Sequence, residues 1–537
     1  MAKNGNIYLR RSLPAIFVLA LLYILPLASI FLRAFENGAE ALLEVFKDSY
    51  TYRLLGFSAG QALLSAAISI LLALPFAAFL GKYTFPGRKL LLALSALSFT
   101  MPSILAVLGF VIFYGNNGVL NSILNHFGIE SIKVLYSYGA IILAHVYLNF
   151  PVALSLITGA WSSLSDREEL ASYMMGKGKV KTFLSVTLPK LKGTIVSAFS
   201  LIFLFCFSSF MIVLVLGGKP SYYTLEAEIY KRTYTDLNPA SSAALSIFVF
   251  IVNLLFLLIL SGGSRIKKTG RTSKTLIKAR KGKLLKAFFI TLLILLFILP
   301  PLLSILYRAF FTKSGEFTLK AWSDISNSKV GLQSSSKVAI VNSLAIAFLA
   351  AILSSRLAES IVLHAARNNA KTLPILSSLP LATGSVTLGL GFSFVSSYIS
   401  SNSLYISYLM VLMAHLVIAL PFAVRTMLPG AKRIPSSLIL ASYTMGASER
   451  KTIRKVERPL LAPYRRKAFA FAFALSLGEV NATLTLAEGR VDTLPILLYR
   501  MIGSYNYQGA SALGTILLLG ALIFFLIGEK GNNDGLS

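Results

Sequence analysis

The stretch Glu169-Leu-Ala-Ser-Tyr-Met-Met-Gly176 returns almost unchanged as Ile439-Leu-Ala-Ser-Tyr-Thr-Met-Gly446. The separation is about half of the 537-residue chain, and Pro189 and Pro459 follow the two glycines at equal distance. Similarity at one fixed separation indicates an internal duplication. Each copy is polar but lies between long apolar segments. The sequence therefore predicts two membrane halves that each present a similar loop outside the bilayer.

Apolar segments make up most of the chain, which is 55% hydrophobic and only 13% charged. This balance is too apolar for a soluble globular protein. Segments of roughly 20 apolar residues, enough to cross a bilayer, recur without the alternation of a membrane β-barrel. We therefore predict an all-α membrane protein with twelve spans, those after residues 90 and 373 being candidates for broken helices. The predicted spans are 13–32, 54–81, 90–113, 135–161, 193–217, 239–261, 284–307, 338–363, 373–398, 404–428, 468–487 and 509–528.

The net charge of +30 could suggest a nucleic-acid-binding protein, so the position of the charge matters. If the first span enters from the cytoplasm, nearly all of the excess Lys and Arg falls on the cytoplasmic side. This distribution is the one that short loops of membrane proteins follow. The charge therefore indicates topology, with both termini in the cytoplasm, and we expect no nucleic-acid partner.

The spans divide into two halves, residues 1–261 and 287–537, joined by the basic segment 262–286. This segment is expected to be a cytoplasmic linker, and contact with anionic membrane lipid is an alternative role. Because six spans are an even number, the two repeats run parallel, and such repeats form a path between the halves. The main cytoplasmic loops are 162–192 and 429–467, named here the first and second loop.

A short helix is predicted in the first loop. Ser165-Asp-Arg-Glu168 fits a capping box, in which a serine and a glutamate bond the first backbone N–H groups of a helix. Glu169, Ser172 and Gly176 then share one helix face. Gly176 suits a left-handed turn at the helix end, and Pro189 marks the return to the membrane. The loop is thus expected to present a short surface helix held between two membrane anchors.

This pattern resembles the cytoplasmic-loop signature of ABC importer permeases: Glu-Ala-Ala, three residues, Gly, nine residues, an aliphatic residue, one residue and Leu-Pro. In the first copy, Val186 and Leu188 also stand at matching spacings. The second copy departs from the signature at Ile439, where glutamate is expected, and at Arg458, where leucine is expected. The resemblance implies a coupling role for Glu169, Ala171, Ser172, Gly176, Pro189, Ala441, Ser442, Gly446 and Pro459.

Over its whole length the chain is most similar to the fused two-half permeases of the iron(III)/thiamine group, which implies a type I ABC importer fold. The resemblance also implies a bacterial cytoplasmic membrane, two copies of an ATP-binding subunit that dock on the loops, and a periplasmic or lipid-anchored substrate-binding protein. No Gly-Lys pair is followed by Ser or Thr, so we expect ATP and Mg to bind the partner and this chain to carry no cofactor and no catalytic site. The copy with Ile439 is expected to contact its ATPase less electrostatically.

A few further stretches of sequence limit the choice of substrate. Phe205-Cys-Phe-Ser-Ser-Phe210 and Ile502-Gly-Ser-Tyr505 resemble thiamine permeases. Gly478-Glu479 and Thr493-Leu-Pro495 are shared with ferric-ion permeases. Thiamine is therefore the favoured substrate, iron(III) is the alternative, and other organic cations or phosphonates are the remaining candidates.

Candidates for the translocation path are Glu479, its repeat counterpart Ser209, and Phe210. A carboxylate within a membrane is costly and should face a cavity or a partner. Glu479 can therefore line the path, form an ion pair or cap a helix. The single Cys206 and the scattered histidines predict no metal site.

A second class of function is an ion-coupled secondary carrier, which also often has twelve spans in two halves. Such a carrier binds its coupling ion through buried carboxylates. Glu359 and Glu479 are the candidates here, and Glu359 is expected to pair with Arg356. The repeated loop would have no purpose in a carrier, so an importer permease is the favoured interpretation.

Overall fold

The computed structural model of the chain describes residues 5–36, 38–262, 276–327, 336–368, 370, 372–399, 403–486 and 490–530. The α-helices of the first half are Gly5–Ala34, Glu40–Lys47, Ser49–Leu80, Arg88–Thr100, Ser103–Tyr114, Val119–His126, Tyr138–Ser162, Arg167–Met174, Lys179–Thr182, Leu188–Phe207, Leu225–Tyr234 and Pro239–Gly262. Those of the second half are Lys281–Phe310, Lys320–Asn327, Ser336–Arg367, Thr372–Leu376, Ser385–Ile399, Leu404–Arg433, Ser436–Thr444, Glu449–Thr452, Arg458–Leu477, Asn481–Leu486, Leu494–Gly503 and Tyr507–Lys530. Short π-helical segments are Phe183–Thr187, Val213–Gly217 and Ile453–Glu457, and 3-10 helices are Pro220–Tyr222 and Leu379–Ala382.

The all-α membrane fold is confirmed, but the number of apolar spans differs from twelve. Ten described helices are long and apolar enough to cross a membrane, and one bent pair raises the number to eleven. The predicted span 468–487 accounts for the difference. Its helix, Arg458–Leu477, carries Arg465, Arg466 and Lys467 and ends well before residue 487. These charges suit the membrane surface, so only the second part of the helix is apolar.

Both predicted broken spans are broken. In the first half, helix Arg88–Thr100 ends and Ser103–Tyr114 begins after Pro102. In the second half, Thr372–Ala382 and Ser385–Ile399 meet at an angle of 89°. Proline lacks a backbone N–H and cannot continue a helix ladder, which explains the break at Pro102.

Two further breaks occur inside predicted spans, at equivalent positions of the repeat. Helix Leu188–Phe207 ends before residues 208–210, and helix Arg458–Leu477 ends before residues 478–480. The sequence did not predict these two breaks. In the second half, Gly478 caps the helix end.

The two halves have the same internal packing. Helix Ser49–Leu80 packs on Tyr138–Ser162 and Leu188–Phe207, and Ser336–Arg367 packs on their counterparts Leu404–Arg433 and Arg458–Leu477. Fully buried alanines lie at these contacts, which is the usual way that membrane helices approach closely.

The halves also interlock. The first helix, Gly5–Ala34, packs on helices Ser385–Ile399 and Ser336–Arg367 of the second half. In return, Lys281–Phe310 packs on Ser103–Tyr114 of the first half. The boundaries 1–261 and 287–537 therefore divide the sequence, while the folded halves share one interface.

The end of the basic linker is anchored to the first half. A two-residue strand, Ile277–Lys278, pairs in parallel with Tyr83–Thr84, just after helix Ser49–Leu80. Linker residues 263–275 lie outside the described residues.

Candidate coupling loops and translocation cavity

The first and second loops share their glycine turn. Gly176 has φ 78° and Gly446 has φ 76°, as the sequence predicted. In the first loop the N–H of Lys177 donates to the carbonyl of Ser172 at 3.1 Å, and the corresponding bond of the second loop measures 3.0 Å. This bond closes a Schellman turn, in which a left-handed glycine satisfies the last helix carbonyls. The predicted capping box is not formed, because Ser165 Oγ accepts from the N–H of Arg167 and the helix begins there.

The two serines of the motif lie inside their loops. Ser172 Oγ lies 2.9 Å from Thr182 Oγ1, and Ser442 Oγ lies 2.7 Å from Thr452 Oγ1. Both serines are buried. They therefore hold the candidate coupling helix of each loop, Arg167–Met174 or Ser436–Thr444, against the turn that follows it. Ala171 and Ala441 lie outside the buried face and are exposed. Pro189 and Pro459 lie in the first turn of helices Leu188–Phe207 and Arg458–Leu477, at the return to the membrane as predicted.

Glu169 also lies inside the first loop, with 8% of its surface exposed. Its Oε2 accepts from Lys82 Nζ at 2.5 Å, and its Oε1 accepts from Thr187 Oγ1 at 2.7 Å. Lys82 follows the end of helix Ser49–Leu80. The carboxylate thus ties the coupling helix to a membrane helix and to the next turn of its own loop.

The second loop forms an equivalent ion pair with a membrane helix, but through a different residue. Ile439 takes the inward position of Glu169 and is 6% exposed. The position that corresponds to Thr187 is Glu457, which is fully buried and accepts from Arg367 Nε at 2.5 Å. Arg367 ends helix Ser336–Arg367, so it corresponds to Lys82. The second loop therefore keeps a buried carboxylate, although the motif position has lost it.

The second departure from the signature is also an ion pair. Arg458 Nε donates to Glu359 Oε1 at 2.5 Å, and Arg465 lies 3.3 Å from the other oxygen. The predicted pair of Glu359 with Arg356 is wrong. Glu359 instead anchors the beginning of the returning helix to helix Ser336–Arg367.

Each candidate coupling helix exposes apolar side chains, in the second loop together with the residue that follows the helix. In the first loop Leu170 and Met174 are 59% and 89% exposed. In the second loop Leu440 and Met445 are 56% and 80% exposed. Exposed apolar groups clustered on a loop indicate a contact surface, and methionine adapts well to a partner.

A cavity of about 280 Å³ lies between the two halves, where the four helix breaks meet. Met101 and Gly384 border it beside the breaks of the predicted broken spans. Ser209, Phe210 and Glu479 border it at the two other breaks. The sequence therefore predicted three residues that the fold brings together, from both halves, on one cavity.

Glu479 lines the cavity and caps a helix at the same time. Its Oε1 accepts from the N–H of Ala482 at 3.0 Å, at the start of helix Asn481–Leu486. Among the described residues it forms no ion pair. Of the three predicted roles, a cavity group and a helix cap both apply.

Aromatic rings complete the cavity wall. The rings of Phe205 and Phe422, one from each half, stack with centroids 6.2 Å apart and planes at 22°. Glu479 is the single carboxylate among the described lining residues, and the lining includes no Lys or Arg. The wall therefore combines aromatic faces with one carboxylate.

His145 also lines the cavity, whereas the imidazole nitrogens of its counterpart His415 lie 2.8 Å from the hydroxyl oxygens of Ser476 and Thr483.

Comparison with known proteins identifies the family. The model of the family described as binding-protein-dependent transport system inner membrane component matches residues 73–261 and 275–529. The chain belongs to this family. The two matched ranges correspond to the two halves of the repeat, and the chain is a multi-pass inner-membrane protein.

Curated relatives match nearly the whole chain. The thiamine transport system permease protein ThiP of Brucella abortus (strain 2308) is 30% identical over 494 residues, which cover 90% of this chain and 88% of the relative. ThiP of Escherichia coli K12 is 28% identical, with 96% of each chain covered. The ferric transport system permease protein FbpB of Actinobacillus pleuropneumoniae is 24% identical, covering 97% of this chain and 78% of the relative. The predicted resemblance to fused two-half importer permeases is confirmed.

Proposed function

We propose that this chain is the permease of an ABC importer that carries thiamine into the cytoplasm. The observation that carries the proposal is the cavity between the halves, which is lined by the Glu479 carboxylate and by the stacked rings of Phe205 and Phe422. Thiamine is a cation in which a positively charged thiazolium ring is joined to a pyrimidine ring by a methylene group. A carboxylate supplies charge for such a ligand, and ring faces attract it through cation–π contact.

Iron(III) is the second candidate, supported by the similarity to FbpB. Thiamine is favoured because the ThiP proteins are more similar. A hard cation such as iron(III) also prefers several oxygen ligands, and the described lining offers one carboxylate.

Energy is supplied by a partner in this proposal. Two copies of a separate ATP-binding subunit, with ATP and Mg, dock on the exposed apolar faces of the two loops, and a substrate-binding protein delivers thiamine from outside. An ion-coupled carrier is less well supported. Of its two candidate carboxylates, Glu359 is already neutralised by Arg458 and Arg465.

The transport proposal is tested in proteoliposomes that contain this chain, its ATP-binding subunit and its binding protein. We expect labelled thiamine uptake that requires ATP and that iron(III) does not compete with. Uptake driven by a proton gradient without ATP would establish the carrier, and ATP-dependent uptake of iron(III) alone would establish the second candidate.

The docking proposal is tested with Met174→Asp and Met445→Asp. Both side chains are exposed, so the changes should leave folding intact but reduce co-purification of the ATP-binding subunit. Leu237→Asp, at an exposed site far from the loops in sequence, is the matched control. Undiminished co-purification of both loop variants would overturn the docking surface.

A further inference from the structure

Glu226 is a buried carboxylate of the first half that the motifs do not explain. It is the second residue of helix Leu225–Tyr234 and is 1% exposed. Neither of its carboxylate oxygens has a hydrogen-bond partner among the described residues. Burying a carboxylate without a partner costs several kcal/mol. Such a group within a membrane protein indicates function.

Glu228, in the same helix, is a buried carboxylate with a structural role. Glu228 is equally buried, but it accepts from Arg232 Nε at 3.2 Å and from the hydroxyl of Tyr50 at 3.1 Å. The basic residues of this helix therefore neutralise Glu228. Glu226 receives no such partner among the described residues.

Glu226 lies against a glycine that lines the cavity. A Cβ at Gly384 would overlap Glu226 Oε1, so the carboxylate lies directly against the Gly384 backbone. Gly384 lines the same cavity as Glu479. The helix of Glu226 is further linked to this wall, because Thr224 Oγ1 donates to the carbonyl of Ser209 at 3.0 Å.

The repeat shows that the fold does not require an acid at this position. The N–H of Leu225 donates to Ser58 Oγ at 3.1 Å, and the N–H of Leu494 donates to Ser343 Oγ at 2.7 Å. Leu225 and Leu494 are therefore equivalent, so the counterpart of Glu226 is a proline, the residue after Leu494. The second half builds the same helix start without an acid at that position.

We propose that Glu226 is a second substrate-binding carboxylate of the translocation path, selective for an organic cation. In this structure the Gly384 backbone covers it. Separation of helices Leu225–Tyr234 and Ser385–Ile399, which pack together across the halves, uncovers it for the passing cation. Glu226 and Glu479 then face the substrate from different halves. This inference rests on the proposed transport of thiamine.

The test compares the wild type with Glu226→Gln in the complete transporter in proteoliposomes. Two probes are used: thiamine, and an analogue whose thiazolium ring is replaced by a neutral ring of the same size. We expect wild type to transport the cation better than the neutral analogue. Glu226→Gln should lower the selectivity for the cation by about tenfold, the value of one charge-assisted contact.

Protein stability separates this role from a structural one. Because Glu226 lacks a partner, Glu226→Gln should keep the abundance and melting temperature of the wild type. Glu228→Gln, which breaks a buried ion pair, should lower both. If Glu226→Gln lowers stability and leaves the selectivity unchanged, or changes neither, the inference is overturned. If the wild type itself transports no thiamine, the proposed function fails instead.

Discussion

The first and second loops have nearly the same backbone but place their buried carboxylate differently. In the first loop the acid is Glu169, on the coupling helix, and it reaches Lys82. In the second loop the acid is Glu457, on the turn that follows, and it reaches Arg367. The feature that both loops keep is therefore an ion pair between the loop and the end of a membrane helix, not a glutamate at one motif position.

The second loop also has a further ion pair with a membrane helix. Arg458, which replaces the leucine of the signature, pairs with Glu359. The counterpart of Arg458 in the first loop is Leu188, which cannot form an ion pair. The two loops should therefore respond differently when their charges are removed and alike when their backbones are strained.

The largest expected effect is that of Glu457→Gln. The Glu457 side chain is fully buried and Arg367 is 13% exposed, so the change leaves a buried cation unpaired. Removing one partner of such a pair costs about 3–5 kcal/mol. We expect a lower melting temperature of the purified protein and weaker binding of the ATP-binding subunit. Glu449→Gln, at a partly exposed acid of the same loop, is the control and should change neither.

Glu169→Gln should have a smaller effect. The amide can still accept from Thr187, and the Lys82 side chain is 25% exposed and can reach water. The free energy of unfolding should then fall by about 1–3 kcal/mol, the contribution of one hydrogen bond to a charged group. Thermal unfolding of the two variants under the same conditions shows which of them loses more stability. A greater loss for Glu169→Gln than for Glu457→Gln would contradict the comparison.

Gly176→Ala and Gly446→Ala should have the smallest effect, and an equal one. Both glycines have positive φ, and a Cβ on either would meet no atom within 4 Å. Backbone strain is then the only cost, about 1–2 kcal/mol. Gly178→Ala is the control, since Gly178 has φ −67° and equally free surroundings. Clearly different losses at the two turns would show that the loops do not share one backbone.

Much of this account could be predicted from the sequence. The repeated block predicted the duplication, the two similar loops and the left-handed glycines, because each depends on local spacing. Glu479 was predicted to line a cavity from the cost of a membrane carboxylate, Ser209 because it is the repeat counterpart of Glu479, and Phe210 because of its aromatic ring.

The ion-pair partners could not be predicted in this way. Lys82 and Arg367 lie far from the loops in sequence, and only the fold brings them to Glu169 and Glu457. Glu457 could have been noticed as the counterpart of Thr187, an acid within a basic stretch. The breaks at residues 208–210 and 478–480 were missed because each is short and apolar residues continue on both sides of it.

The most direct test of the comparison moves the carboxylate of the second loop to the place that it has in the first. Ile439→Glu combined with Glu457→Thr rebuilds the residues of the first loop opposite Arg367. Glu457→Thr alone should lose ATP-driven uptake in proteoliposomes, and the double variant should regain most of it. A double variant that is stably folded yet no more active than Glu457→Thr alone would contradict the claim that the two loops use one carboxylate in two positions.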